Sequence, residues 1–292
     1  MGDPAGNDVS AAVAGKVHLD RFLLEATPDQ DIVREVQCLG GLIHQHVDTH
    51  YHLRETASPD RDVAATLVAL GFSDDGSSNL TAQQVVSLCT NPTTRQIGLR
   101  HVILRTLFQS IDWQSPGPVG LLPDAAAAFI QRVPTSESQS QSDHEAVTIA
   151  ITKWLKFSAF LLHPQRSQRT PLSWTPTAEN DAKVEKLTGL LNTFLGFFME
   201  QDAHLRQEQA NHLRGVVAEC AKLGYLLFSQ PSDFKLLPGH ESGRDKSSRS
   251  HSEKISIIVE AGLDKGAYHD EYGMVYPSVT HLLEPTFAAT GV

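Results

Sequence analysis

Residues 213–229 read LRGVVAECAKLGYLLFS and are closed by Gln230 and Pro231. Leu213, Val216, Val217, Cys220, Leu223, Leu227 and Phe228 recur at three- and four-residue steps, the spacing that gathers side chains on one helix face. Towards the end of the run Leu223, Tyr225, Leu226, Leu227 and Phe228 go most of the way round the helix. A soluble helix that is apolar on nearly all sides lies inside the protein. The stretch 205–237 is therefore expected to hold the central helix, with the rest of the chain packed around it.

The segments on either side read mostly as further helices. A first is expected over residues 9–26. Thr27-Pro28-Asp29-Gln30 offers a capping threonine, a proline at the first helical position and a glutamine to close a capping box, so a second helix should run to about Arg54. Residues 59–70 form a short third, ended by Gly71. Thr81 with Gln84 caps the next, to about Cys89. Asn91-Pro92 opens another, with Ile97, Val102, Ile103, Leu104, Leu107 and Phe108 as its core residues, and the rigid loop Ser115-Pro116-Gly117-Pro118 follows it. A short alanine-rich helix is expected over 123–133. Ser142 with Glu145 caps a long one to Leu162, whose Trp154, Leu155, Phe157, Phe160, Leu161 and Leu162 make it a second strongly buried element. A further amphipathic helix covers about 177–199. The β-branched run 255–259 and the segment 278–283 read as two strands of a terminal hairpin or docked arm. The fold class is thus mainly α: an irregular bundle of eight to nine helices in one domain over 1–292, with a short C-terminal β-hairpin or extended arm. A mobile linker near 135–142, a disordered loop near 240–252 and an extended tail over 253–292 complete the organisation.

Composition bounds the function. The chain has 292 residues, 40% hydrophobic and 20% charged, an ordinary globular make-up. A formal net charge of −10 argues against nucleic acid and against anionic lipid as partners. Cys38, Cys89 and Cys220 have no metal or redox spacing and fall in apolar helical stretches, where each is expected to be buried as a small hydrophobe, which suits a reducing compartment and a cytoplasmic or nuclear location. MGDPAGND has neither a basic start nor an apolar core, so no secretory signal is read there, and Gly6 stands where myristoylation wants Ser or Thr. No apolar run is long enough to span a membrane.

The chemistry-bearing residues cluster in IHQHVDTHYH, residues 43–52. His46 and His50 are four apart and continue the apolar stripe of their helix. His44, Asp48 and His52 succeed one another at the same step on a different face. On the central helix His204, Glu208 and His212 repeat that pattern. Were the two faces to meet, His44, Asp48, His52, His204, Glu208 and His212 would supply nitrogen and carboxylate ligands suited to zinc or iron. The plainer reading is that such rows form exposed i to i+4 pairs on a solvated face, and that His46 and His50 are core-edge histidines. Arg100 and His101 sit on an apolar helix, where an arginine could bind an anionic group or simply pair with an internal acid. His46, His50, Arg100 and His101 are the candidate ligand-binding residues. No nucleophile elbow, dinucleotide loop, P-loop or aspartate-rich cyclase motif is present, so the catalytic residues are unknown. No cofactor is predicted beyond a divalent metal on the histidines.

Four stretches carry a resemblance: His46-Val47-Asp48 with Tyr51-His52, Asn91-Pro92 with Arg95 through Arg100-His101, Phe160-Leu161-Leu162-His163-Pro164 with Arg166 and Arg169-Thr170, and Glu219-Cys220-Ala221-Lys222 through Leu227-Phe228-Ser229-Gln230-Pro231. In these, scattered over about two-thirds of the chain, the sequence resembles a family of helical proteins from filamentous fungi that has no established activity. The resemblance implies a fungal source and a soluble intracellular role beside a biosynthetic gene set. It also implies an aromatic-rich strand after Pro231, for which Phe234-Lys235-Leu236-Leu237 is a thin match. Two functions are expected from this reading. The first is a non-catalytic helical module that binds a protein or an apolar small molecule. The alternative is an enzyme or accessory protein of secondary metabolism acting on an apolar small molecule in a pocket between helices.

Overall fold

A computed structural model describes residues 22–55, 60–72, 80–113, 117–133, 141–237, 254–266 and 279–291. Within them lie eight α-helices followed by five short strands. The helices are α1 (Asp29–His50), α2 (Asp60–Ala69), α3 (Ala82–Thr90), α4 (Arg95–Ile111), α5 (Asp124–Ile130), α6 (Gln141–Leu162), α7 (Ala178–Leu195) and α8 (Ala203–Phe228). The strands are β1 (Asp233–Leu237), β2 (Lys254–Glu260), β3 (Gly262–Gly266), β4 (Val279–Leu283) and β5 (Thr286–Gly291). The fold is mainly α, as the hydrophobic periodicity requires.

Helix α8 is the hub. It packs against α1, α4, α6 and α7. Leu213, Val216, Val217, Cys220, Ala221, Leu223 and Phe228 are buried, and Tyr225, Leu226 and Leu227 are half-buried against the same core. Its start is capped by Asp202, whose carboxylate accepts from the amides of His204 and Leu205. Gly224 lets α8 approach α4. A β-carbon built there would lie 2.6 Å from Ile111 Cγ2. Gly215 sits on the exposed side of the same helix with nothing within 4 Å. Replacing each by alanine separates packing from propensity. Gly215→Ala should stabilise by about 1 kcal/mol. Gly224→Ala gains the same propensity but forces Ile111 aside, and should lose about 1 kcal/mol net, since overpacking costs about 1–3 kcal/mol. Urea midpoints of the two variants check the opposite signs.

Local signals were honoured where nothing distant competed. Thr81 and Gln84 form the reciprocal capping box at α3. Gly71 takes φ +88° just past α2, the left-handed conformation that suits glycine after a helix. Thr27 does not cap α1. Its amide donates to Gln230 Oε1 at 2.8 Å and its hydroxyl accepts from Gln230 Nε2 at 3.0 Å, tying the entry of α1 to the exit of α8. Of the first expected helix, residues 9–21 fall outside the described residues, and 24–28 are irregular. Helix α1 ends at His50, short of Arg54, because Tyr51 turns to an extended conformation and drives its side chain into the interior.

Two expectations about burial are corrected. Helix α6 is buried along one face only: Leu155 and Ala159 are inside, whereas Leu161 and Leu162 are exposed. Cys38 is exposed on α1, while Cys89 and Cys220 are buried. The linker and loop expected near 135–142 and 240–252 lie outside the described residues, except that Gln141 and Ser142 already belong to α6.

The tail is more than a hairpin. Strand β3 stands between β1 and β4, β2 pairs with β5, and every pairing is antiparallel. The two expected strands exist, as β2 and β4, but they belong to different sheets. The thin stretch Phe234-Lys235-Leu236-Leu237 is a strand because β3 pairs with it along its whole length. The sheets lean on the helices. Lys265 of β3 holds both carboxylate oxygens of Asp29 at 2.7 and 2.9 Å, and buried Lys156 of α6 bonds Ser232 O at 2.9 Å and Asp233 at 3.1 Å.

Candidate metal centre

Helices α1 and α8 lie against each other along the apolar stripe of α1: Ile32, Val36, Leu39, Ile43 and finally His46, all buried. One turn further, His50 is half-buried and the seam opens. On α8, His212 faces this end. His46, His50 and His212 each present a ring nitrogen, and the three atoms lie within 4.8 Å of one another. His46 Nδ1 is 3.0 Å from His212 Nδ1, with the two rings stacked at 5.1 Å. The His50 ring centroid is 5.0 Å from that of His46 and 5.4 Å from that of His212. Nitrogens sharing one tetrahedral zinc stand roughly 3.3 Å apart. To share a cation the trio would close by up to about 1.5 Å at its widest, while the His46–His212 pair would part slightly.

Behind the trio lies a polar chain in an otherwise apolar interior. His46 Nε2 is 2.8 Å from Tyr51 Oη, Gln209 Nε2 donates to that oxygen at 2.7 Å, and the same amide nitrogen donates to Asn192 Oδ1 at 3.0 Å. Tyr51 and Gln209 are buried, and burial drives the Tyr51 phenol far above its ordinary value. Gln209 Oε1 is enclosed without a hydrogen-bond partner.

The electrostatics favour neutral imidazoles. Burial first, then the neighbouring His50 and His212, lower His46 to about 3. Burial and His212 lower His50, against a pull from Glu208 in the other direction. A histidine binds metal through an unprotonated nitrogen, so a depressed pKa leaves it ready to do so at neutral pH. In front of His50 is a cleft of about 150 Å³ lined by Thr49, His50, Tyr51, His52, Met199, Glu200, Leu205 and Arg206. Its floor is the end of α1 and its wall is the start of α8.

The residues singled out on sequence go to five places. His46 and His50 join in the trio. His212 joins them without the rest of its row: His204 and Glu208 form an exposed pair at 3.6 Å. His44 and Asp48 pair with each other at 3.1 Å, and Arg100 bonds Asp48 at 2.8 Å and His44 at 3.2 Å, a surface network between α1 and α4. His52 lies beside buried Arg95. His101 packs under the strands, its Nδ1 3.3 Å from Ile258 O and its ring edge-on to Phe72. The two rows do not meet as a ligand set; His44–Asp48 and His204–Glu208 are instead exposed i to i+4 pairs, as the plainer reading of such rows has it. The nitrogen set instead takes two members from the apolar stripe of α1 and one from α8, because helices in contact share only a turn or two at the open end of their seam. Sequence reasoning missed Tyr51, Gln209 and Asn192. A signal for Gln209 existed: it stands four residues before Leu213 and seven before Val216, a polar residue in register with the buried stripe.

Comparison with protein-family models, with curated proteins and with solved structures returns no match. The reading of this site therefore stands on its geometry.

Proposed function

We propose that the protein binds a divalent transition metal of the zinc type between α1 and α8, and uses it on a small molecule held in the adjoining cleft. The observation that carries this reading is the convergence of His46, His50 and His212 within 4.8 Å, with His50 also lining that cleft. Three protein ligands leave a coordination position for water or substrate, as in catalytic rather than structural zinc sites. An all-imidazole set is uncharged, so the cation would keep its full power to polarise a bound water or carbonyl oxygen. A cleft near 150 Å³ admits a molecule of about benzene's size. The reading favours the small-molecule side of the two functions expected on sequence. It also agrees with the absence, among the described residues, of any helix long and apolar enough to cross a membrane.

The test is metal binding by untagged, metal-stripped protein. Cobalt(II) should bind with a stoichiometry of about one and give the intense visible absorption of a tetrahedral site. His50→Ala and His212→Ala should each weaken binding at least about 100-fold. His204→Ala should leave it unchanged, because that residue is exposed and outside the trio. A protein that binds no cobalt, zinc or iron, or one whose affinity survives loss of His50 and His212, overturns the reading. The non-catalytic module then becomes the better account.

A further inference from the structure

The unpartnered Gln209 Oε1 has a use once the direction of the polar chain is followed. Gln209 Nε2–H donates to Tyr51 Oη, so the Tyr51 O–H is free to donate to its other neighbour, His46 Nε2. His46 then carries its proton on Nδ1 and donates it to His212 Nδ1. In that tautomer the nitrogen facing the trio is protonated and holds no metal. To ligate, the neutral His46 must keep its proton on Nε2 and donate it to Tyr51 Oη. The Tyr51 hydroxyl must then find another acceptor. A half-turn of the Gln209 amide puts Oε1 where Nε2 stood, facing both Tyr51 and Asn192, and Asn192 can follow by turning its own amide to donate. No proton is gained or lost: one imidazole proton and one phenol proton exist in both states. The flip exchanges an enclosed acceptor for an enclosed donor, so neither orientation satisfies the amide fully.

We infer that Gln209, acting through Tyr51, is the positioning residue that sets how readily His46 ligates the metal, by choosing between two directions of one hydrogen-bond chain. This rests on the metal reading above. Groups hydrogen-bonded behind a metal-binding histidine fix its tautomer, and their loss typically weakens metal affinity about 10–100-fold. Here the usual acceptor is replaced by a residue that can donate or accept, which makes the site adjustable.

The experiment is cobalt(II) titration of the full chain at pH 8, for wild type, Gln209→Glu, Gln209→Leu and Tyr51→Phe. A carboxylate can only accept from Tyr51, so Gln209→Glu should bind cobalt about tenfold more tightly than wild type. Gln209→Leu and Tyr51→Phe should bind about 10–100-fold more weakly. A general structural defect could weaken binding but would not tighten it, and the added charge of the glutamate acts without Tyr51, so the tightening should vanish when Gln209→Glu is combined with Tyr51→Phe, which isolates the hydrogen-bond direction. Unchanged or uniformly weakened affinity in the Glu and Leu variants, with wild type binding normally, overturns this inference and leaves the metal reading standing. Wild type binding no cobalt overturns both.

Discussion

Arg95→Leu should lower stability by about 3–5 kcal/mol, the loss typical of breaking a buried charged hydrogen-bond set from one side. Arg95 is fully buried at the first position of α4. Its Nε donates to Cys89 O at 2.8 Å and Nη2 to Thr90 O at 2.8 Å, while Nη1 donates to His52 O at 2.7 Å and also to Arg54 O. Cys89 and Thr90 end α3, so these are carbonyls that no helical amide can reach. The other two belong to the chain leaving α1. The guanidinium also lies over Phe198, 5.4 Å from the ring centre. Among the described residues no carboxylate pairs with it. The partial negative charge at the end of α3 and four carbonyl dipoles take that role. Replacing the whole set by apolar groups could be neutral, but leucine removes the donors and leaves four acceptors stranded, at roughly 1 kcal/mol or more each. Arg95→Lys keeps the charge with fewer donors in the wrong geometry, so it should recover only part of the loss. Equilibrium urea unfolding at constant slope measures both. A leucine variant within 1 kcal/mol of wild type would show that water replaces the guanidinium and that this clamp is dispensable. The clamp also holds the His52 backbone beside Phe198, whose carbonyl accepts from the His52 amide at 3.1 Å, and so fixes one wall of the cleft.

What the chain discloses about itself is sorted by range. The apolar stripe of α8 and the Thr81–Gln84 box depend on residues within one or two turns, and the structure keeps both. Thr27 carried an equally good local signal and lost it to Gln230, a partner 203 residues away. The same limit explains the strands. Residues 255–259 and 278–283 are extended by composition, but pairing is a choice among partners, and β2 found β5 while β4 found β3. In α6, Leu161 and Leu162 look like core residues until the neighbours are placed, and the chain supplies no neighbour on that side among the described residues. The histidine trio shows the limit at its sharpest. Periodicity grouped His46 with His50, and separately His204, Glu208 and His212, but only His212 of the second row reaches the trio. Which of these would meet depends on how α1 and α8 lie against each other and where their seam opens. The chain of Tyr51, Gln209 and Asn192 draws on α7, α8 and the exit of α1, so no single helical period could reveal it.

Acid should destabilise the metal-free protein well above the range where carboxylates titrate. His101 is enclosed between α4 and β2, facing Ile258 O, Phe72 and Arg105, and burial lowers it to about 4. In the unfolded chain it titrates near 6.5. Between those values the unfolded state holds a proton that the folded state does not, so stability rises with pH and is lost as pH falls from about 6.5 towards 4. At pH 5 the difference is about 2 kcal/mol. His46, lowered to about 3 mainly by burial and then by His50 and His212, acts in the same direction and adds about 2 kcal/mol at that pH. The folded protein should therefore lose about 4 kcal/mol between pH 7 and pH 5 from these two rings alone. The contributions are separable. His101→Gln keeps a donor for Ile258 O and abolishes the titration, so the stability gap between variant and wild type should shift by about 2 kcal/mol in the variant's favour from pH 7 to pH 5. Chemical denaturation with chelator present, at half-unit steps of pH, reads the gap directly. A gap that stays constant across that range would mean that His101 is protonated in the folded state, with its charge held by Ile258 O against the nearby Arg105. The enclosure of β2 over α4 would then be far looser than its burial implies.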